Sequence, residues 1–222
     1  MKTSRDIYVL CAGGHARVVI DALARAGRPV TGVVDIDTSL HDSAILGVPV
    51  LGDDDYVLAL DSNKIALVNA LGNRPGGNAT GMDRRRALFD RFKAKGYFFV
   101  TVVSPDATVS DHVYLEEGCQ IITRALVHPG SKIGANTIIN TGASLDHDCV
   151  IGAHCHIAPW AVLCGGVTVG EGSHIGARAV LVPGITVGKN SVVGAGAVVI
   201  DDVPDNTTVV GNPAKPRPAT AD

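Results

Sequence analysis

Residues 119–157 read CQIITRALVHPGSKIGANTIINTGASLDHDCVIGAHCHI, and within them an aliphatic residue returns every six positions: Ile121, Val127, Ile133, Ile139, Leu145, Ile151 and Ile157. Stepping outward in sixes, the series runs back through Leu115, Val109 and Val103 and forward through Leu163, Val169, Ile175, Leu181, Val187 and Val193 to Val199. No step is broken and nothing is inserted. Two residues ahead of these aliphatics the side chain is usually small, as at Ala107, Cys119, Ala125, Ser131, Ala143, Cys149, Ala161, Ser173, Ala179, Ser191 and Ala197. Glycine often follows the aliphatic, as at Gly134, Gly152, Gly170, Gly176, Gly188 and Gly194. A helix would show a period of 3.6 and a half-buried strand a period of 2. A fixed short repeat instead means one unit stacked on itself. Three hexads make one triangular coil of a parallel β-helix, with aliphatics inside and glycine permitting the corners. Each face is then about six residues wide, roughly 20 Å at the rise of an extended strand. Such a prism is packed solid, so any site lies on an outer face or between two prisms, and closed rings of identical chains are the natural way to build that cleft.

Ahead of residue 100 the pattern alternates between strand and helix. Ile7 to Ala12 is an apolar strand, Gly13-Gly14 turns the chain, and Ala16 to Ala26 has helical spacing closed by Gly27. Val30 to Val34 predicts a second strand ending at Asp35, Asp53 to Leu60 a short helix with acids at its start, and Lys64 to Leu71 a buried strand. Met82 to Lys95 predicts an amphipathic helix, and Tyr97 to Val103 a strand leading out. This order argues a small parallel sheet covered by helices, a Rossmann-like βαβ arrangement. The expected organisation is an α/β domain over 1–102, a β-helix of hexapeptide repeats over 103–203 and a tail over 204–222.

Composition narrows the partners. The 222 residues carry a formal net charge of −3, whereas a non-specific nucleic-acid binder needs a basic surface. No basic run marks an anionic membrane surface, and no apolar stretch approaches the roughly 20 residues of a membrane span. The N-terminal residues lack the apolar core of a signal peptide. Five cysteines (Cys11, Cys119, Cys149, Cys155, Cys164) are odd in number, match no zinc spacing and mostly sit in apolar patterns. The expectation is a cytoplasmic protein with reduced thiols, no nucleic-acid or membrane partner and no metal.

Two clusters can carry chemistry. Asp146-His147-Asp148, followed by His154 and His156, is the densest polar group in the repeats. His147 follows the inward Leu145 by two residues and projects outward. A histidine beside a carboxylate suits a general base, because it titrates near neutrality and the acid can hold one tautomer. A solvated histidine in a turn fits the same spacing. His156 lies half a coil further round, so the two point apart within one chain and could share a site only across a subunit boundary. The second cluster is Gly13-Gly14-His15-Ala16, between a strand and a helix, where backbone N–H groups can hold phosphate oxygens. Asp35 ends the second strand about twenty residues later, where an acid can bond a ribose or base edge. The full Gly-x-Gly-x-x-Gly fingerprint is missing, which argues against NAD. A tight turn into a helix explains these glycines as well.

The Gly-Gly-His-Ala start, Val33-Val34-Asp35, Ala70-Leu71-Gly72-Asn73, Leu145-Asp146-His147-Asp148-Cys149 and Gly211-Asn212-Pro213-Ala214-Lys215 occur in one order. In that order the chain resembles, over nearly its whole length, the sugar acetyltransferases of the left-handed β-helix superfamily. The branch it resembles N-acetylates nucleotide-linked 4-amino sugars, such as UDP-linked bacillosamine precursors and GDP-perosamine. The resemblance implies a left-handed helix, a homotrimer and acetyl-CoA lying in the cleft between neighbouring prisms, with active sites shared between subunits. It implies His147 as the base and Asp148, where the family often has Glu, as its supporting acid. His156 then lies near the thioester, and Gly165, Ala177 and Ala195 contact coenzyme A. Gly13, Gly14, His15, Asp35 and Gly72 fall where relatives hold the nucleotide. Ile36 stands where relatives commonly place a second Asp, so base recognition differs there. A sugar O-acetyltransferase of the sialic acid type would use the same base. A zinc enzyme built on His147, His154 and His156, and a non-catalytic scaffold, are the remaining readings.

Overall fold

Apolar runs and amphipathic spacing alternate at the start of the chain, and in this computed structural model, which describes residues 5–72 and 81–217, they form a small parallel sheet packed with helices. The chain divides into two units, Met1–Pro105 and Asp106–Asp222. In the first, β1 (Asp6–Leu10) leads into α1 (Gly14–Arg25) and then β2 (Gly32–Val34). A small hairpin of β3 (Ala44–Ile45) and β4 (Val48–Pro49), absent from the sequence reading, comes next, then α2 (Asp54–Leu58), β5 (Ile65–Asn69) and α3 (Gly81–Lys93). The sheet order is β2-β1-β5, all parallel, with Val9 opposite Val33 on one side and Val68 on the other. Every residue of β5 is buried and so are four of the five in β1, as expected of a parallel sheet covered on both faces. α1 buries Ala16, Val19, Ile20, Ala22 and Leu23, a stripe at helical spacing. The Asp53 carboxylate accepts from Asp55 N at 2.9 Å and caps α2. The Tyr97–Val103 strand is reduced to a bridge between Phe99 and Leu67 and a two-residue strand at Val102–Val103.

The second unit is a parallel β-helix in which each strand from Thr108–Val109 to Val198–Val199 is two residues long. Leu126–Val127 pairs with Thr108–Val109 eighteen residues before it and with Ser144–Leu145 eighteen after, and the other strands repeat that register on three faces. Every sixth residue from Ile121 to Val199 is buried, together with the small residues that precede it, in one continuous core. At the first coil Val109 and Leu115 are only half-buried, because an end coil has a neighbour on one side. Val103, the first step of the series, lies ahead of the division at residue 105 and is 38% exposed.

The glycines that follow the aliphatics have a different job from the one expected. The left-handed corner falls two residues later, at Asn136, His154, Arg178 and Asn190 for example, each with φ between 51° and 58°. Gly134 and Gly152 serve close stacking instead: a Cβ at Gly134 would stand 2.5 Å from Ala153 N, and one at Gly152 2.6 Å from Glu171 N, in the next coil.

Candidate active site

Adjacent side chains on a strand point to opposite faces, so neighbours such as His147 and Asp148 do not ordinarily meet. Here the chain leaves the strand Ser144–Leu145 and turns its corner at Asp148, whose φ of 59° lies in the left-handed region. That turn swings the carboxylate back, and His147 Nδ1 donates to Asp148 Oδ2 at 2.9 Å. Asp146 accepts from His147 N at 2.8 Å and fixes the backbone. The bond to Asp148, then the charge of Asp146, raise the His147 pKa above its usual 6.5. With Nδ1 engaged, Nε2 is the nitrogen left to exchange a proton. Both side chains stand in the open within one chain, 64% and 70% exposed. Cys149, next in sequence, is fully buried and its Sγ donates to the Cys164 carbonyl; burial pushes its thiol up to about 11, so it is not a thiolate.

His156 sits on a different face of the prism, on the strand His156–Ile157, as its nine-residue offset from His147 requires. Its side chain is buried, and Asn140 Nδ2 donates to its Nε2 at 2.9 Å while Asn140 Oδ1 accepts from Thr141 N. Asn140 was not singled out in the sequence, because its partner lies sixteen residues away on the neighbouring coil. His174 stacks edge-on against His156 with ring centroids 4.9 Å apart. His154, the third histidine of the cluster, instead meets Asn136 Nδ2 through Nδ1 at 3.0 Å. Among the described residues no three His, Cys, Asp or Glu gather where they could hold a metal ion. Gly165 lies one coil beyond His147, directly against its ring, while Ala177 and Ala195 fall in register with each other at another corner of the prism, where Gly196 N donates to the Ala177 carbonyl.

The other predicted residues meet at the carboxyl ends of the parallel strands in the first unit. With the order β2-β1-β5, the chain leaves β1 to one side and returns on the other, and such a switch point opens a crevice there. Gly13 caps α1 without a side chain and Gly14 begins it. Neither has left-handed φ, and a Cβ on either would meet nothing within 4 Å, so the protein's own packing does not demand glycine at these positions. Asp35 latches this loop: Oδ2 accepts from Ala12 N at 2.6 Å and Oδ1 from Asp37 N at 2.9 Å. Gly72 approaches His15, with 3.9 Å between its Cβ position and the His15 Cβ. Ile36 is 80% exposed beside Asp35. Asn73 of the same motif lies outside the described residues. Arg85, fully buried in α3, was missed by the sequence reading; its guanidinium donates to the carbonyls of Asn69 (2.6 Å) and Leu71 (3.1 Å) and so holds the loop that carries Gly72.

Known proteins share both halves. Residues 6–75 match the PglD N-terminal domain, and residues 130–165 and 166–201 match the bacterial transferase hexapeptide (six repeats). A histidine-to-asparagine mutant of perosamine N-acetyltransferase from Caulobacter crescentus, in complex with CoA and GDP-perosamine, has a TM-score of 0.88 and 38% identity, covering 96% of this chain and 97% of that one. The acetyltransferase domain of PglB from Neisseria gonorrhoeae, in complex with acetyl coenzyme A, has a TM-score of 0.87 and 36% identity, covering 96% of this chain and 100% of that one. WeeI from Acinetobacter baumannii has a TM-score of 0.78 and 26% identity over 96% and 100%. The fold and the matched segments define a left-handed β-helix acyltransferase. The chain belongs to the hexapeptide-repeat acetyltransferases that carry a PglD-type N-terminal domain.

Proposed function

We propose that the protein transfers the acetyl group of acetyl-CoA to the 4-amino group of a nucleotide-linked amino sugar. The observation that carries this reading is the His147–Asp148 pair at 2.9 Å, with Nε2 turned away from it, on a chain related to enzymes crystallised with CoA and GDP-perosamine. A sugar amine in neutral water is an ammonium and must lose a proton before it can attack. That first proton goes to solvent; His147 Nε2 takes a second from the amine as nitrogen adds to the thioester carbonyl, and the Asp148 carboxylate supports the imidazolium that results. The tetrahedral oxyanion is stabilised by a donor such as His156 or a backbone N–H. Collapse breaks the C–S bond, and the departing sulfur takes up the proton from His147 to leave as coenzyme A thiol. No covalent enzyme intermediate is needed.

The division of labour follows from the two units: the α/β unit holds the nucleotide and the β-helix carries the transfer, with Gly165, Ala177 and Ala195 along coenzyme A. The α1 N-terminus offers N–H groups to a diphosphate, with Gly13 and Gly14 giving room that the protein itself does not fill. Asp35, already latching the loop through both oxygens, has lone pairs left for a base or ribose edge, and exposed Ile36 gives that corner an apolar neighbour. We place the sites between subunits of a homotrimer, since His147 and His156 lie on different faces of one prism.

The test is thiol release from acetyl-CoA against a panel of UDP- and GDP-linked 4-amino sugars, with His147→Ala beside the wild type. Turnover of one acceptor, lost in the variant, is the expected result. Silence across the panel with coenzyme A still bound would move the reading to hydroxyl acceptors. Silence without coenzyme A binding would overturn it.

A further inference from the structure

We propose that Gly130 and Gly165 are positioning residues: their missing side chains form the seat in which Asp148 and His147 meet. The inference rests on the reading of His147 as the base and adds how its geometry is held. In this β-helix a residue lies against those eighteen positions before and after it. Gly130 therefore underlies Asp148, and Gly165 faces His147 from the other side. A Cβ built on Gly130 would clash with Asp148 Oδ1 and stand 3.1 Å from Cγ. One built on Gly165 would stand 2.5 Å from His147 Nε2 and 2.6 Å from Cε1. Real side chains do not approach so closely, so one of each pair would have to move.

The backbones have little room to move. Asp148 N donates to the Pro129 carbonyl at 3.0 Å, Gly130 N to His112 at 3.1 Å and Gly166 N to His147 at 2.9 Å, so adjacent coils are tied on both sides of the pair. The carboxylate and imidazole are the parts free to swing, since both stand largely in the open. Corner geometry alone does not account for glycine at 130. Its φ of 80° is left-handed, yet the equivalent corners are filled by Arg124, Asn136, His154, Trp160 and Arg178. Nor do bulky corner residues always lie over glycine: His154 lies over Asn136, and Arg178 over Trp160. Gly165 is not left-handed at all, so its backbone does not call for glycine, whereas a side chain there would meet the His147 ring.

The experiment uses full-length protein labelled with 15N-histidine, the His147 signals being assigned by their loss in His147→Ala. Gly130→Ala displaces the Asp148 carboxylate, so the His147 titration midpoint falls toward that of an ordinary histidine and matches Asp148→Ala. The charged groups acting on His147 are Asp148 and Asp146, and Asp146 is untouched by the change. Turnover falls on the order of a hundredfold, the scale for about 1 Å of misplacement, with the coenzyme A Kd unchanged by calorimetry. The double variant Gly130→Ala/Asp148→Ala is no slower than Asp148→Ala alone. Gly165→Ala, free of left-handed strain, changes the Nε2 shift and lowers kcat. Gly184→Ala controls for strain: its φ is 76° and nothing lies within 4 Å of its Cβ position, so it leaves the titration as in wild type. A wild-type His147 titration in both Gly130→Ala and Gly165→Ala would overturn the proposal, as would losses that multiply in the double variant. Because the titration needs no substrate, a wild type that acetylates nothing would sink the functional reading while still deciding the seat.

Discussion

His147 carries its proton on Nδ1 toward Asp148, and that arrangement sets the pH at which Nε2 is free to act. With His147 as the base proposed above, which works in its neutral form, the bond to Asp148 favours the charged form, so the working range should begin above the usual histidine value of 6.5. We expect kcat/KM to fall as pH drops through a midpoint above 6.5. Asp148→Asn keeps the shape and removes the charge: the acid limb should move to lower pH while the plateau falls by roughly 100-fold, within the range ascribed to general base catalysis. A pH–rate profile of both proteins checks this, and an unmoved limb would remove His147 from the rate-determining protonation. The pair itself was legible in the sequence, because a His between two acids, two residues past an inward aliphatic, has a definite place on the coil. Its seat was not. Gly165 was read only as a coenzyme A contact, and Gly130 was not singled out, since the residue each one faces is eighteen positions away.

Among the elements, the β-helix strands were the most legible because every hexad reports the same face. The phase alone nonetheless misplaced one role: glycines after the aliphatics were assigned to corners but serve coil stacking, and the corners fall two residues on. Arg85 and Asn140 escaped notice for a common reason, namely that each acts on a partner fourteen to sixteen residues away through a backbone carbonyl or a ring nitrogen. His174 shows the limit from the other side. Hexad phase makes it an outward residue, yet it is 6% exposed, and its Nδ1 is buried without a hydrogen-bond partner among the described residues. Burial lowers its pKa to about 4. Folded chains then keep it neutral, whereas unfolded chains take up a proton below 6.5. The unfolded state therefore binds more protons between pH 6.5 and 4, and stability is lost as pH falls through that window, by about 3 kcal/mol at most. Urea midpoints at pH 7 and pH 5 should differ in wild type, and His174→Phe should flatten the difference. A slope that persists unchanged in the variant would place the titrating group elsewhere.

At the scale of the whole molecule, the reading proposed above requires more than one prism to complete the site. His147 projects from a corner in the open, while His156 belongs to a separate sheet of the same solid core, and nothing inside a packed prism lets the two converge. A closed ring of three chains would bring His147 of each prism against the His156 face of its neighbour. This arrangement makes a prediction that a site within one chain does not. His147→Ala and His156→Ala should each be inactive or nearly so as pure proteins. Chains of the two kinds, co-expressed with different tags and purified as mixed assemblies, should recover activity. A boundary is then complete wherever the His147 of a His156→Ala chain faces the His156 of a His147→Ala chain. Every mixed cyclic trimer, two-to-one or one-to-two, satisfies that condition at about one boundary in three. Recovery to about a third of wild-type turnover, together with a sedimentation mass near three chains, would establish that the boundary carries the chemistry. Mixed assemblies as inactive as the pure variants would mean that each chain uses its own pair, and the role given to His156 would have to be abandoned.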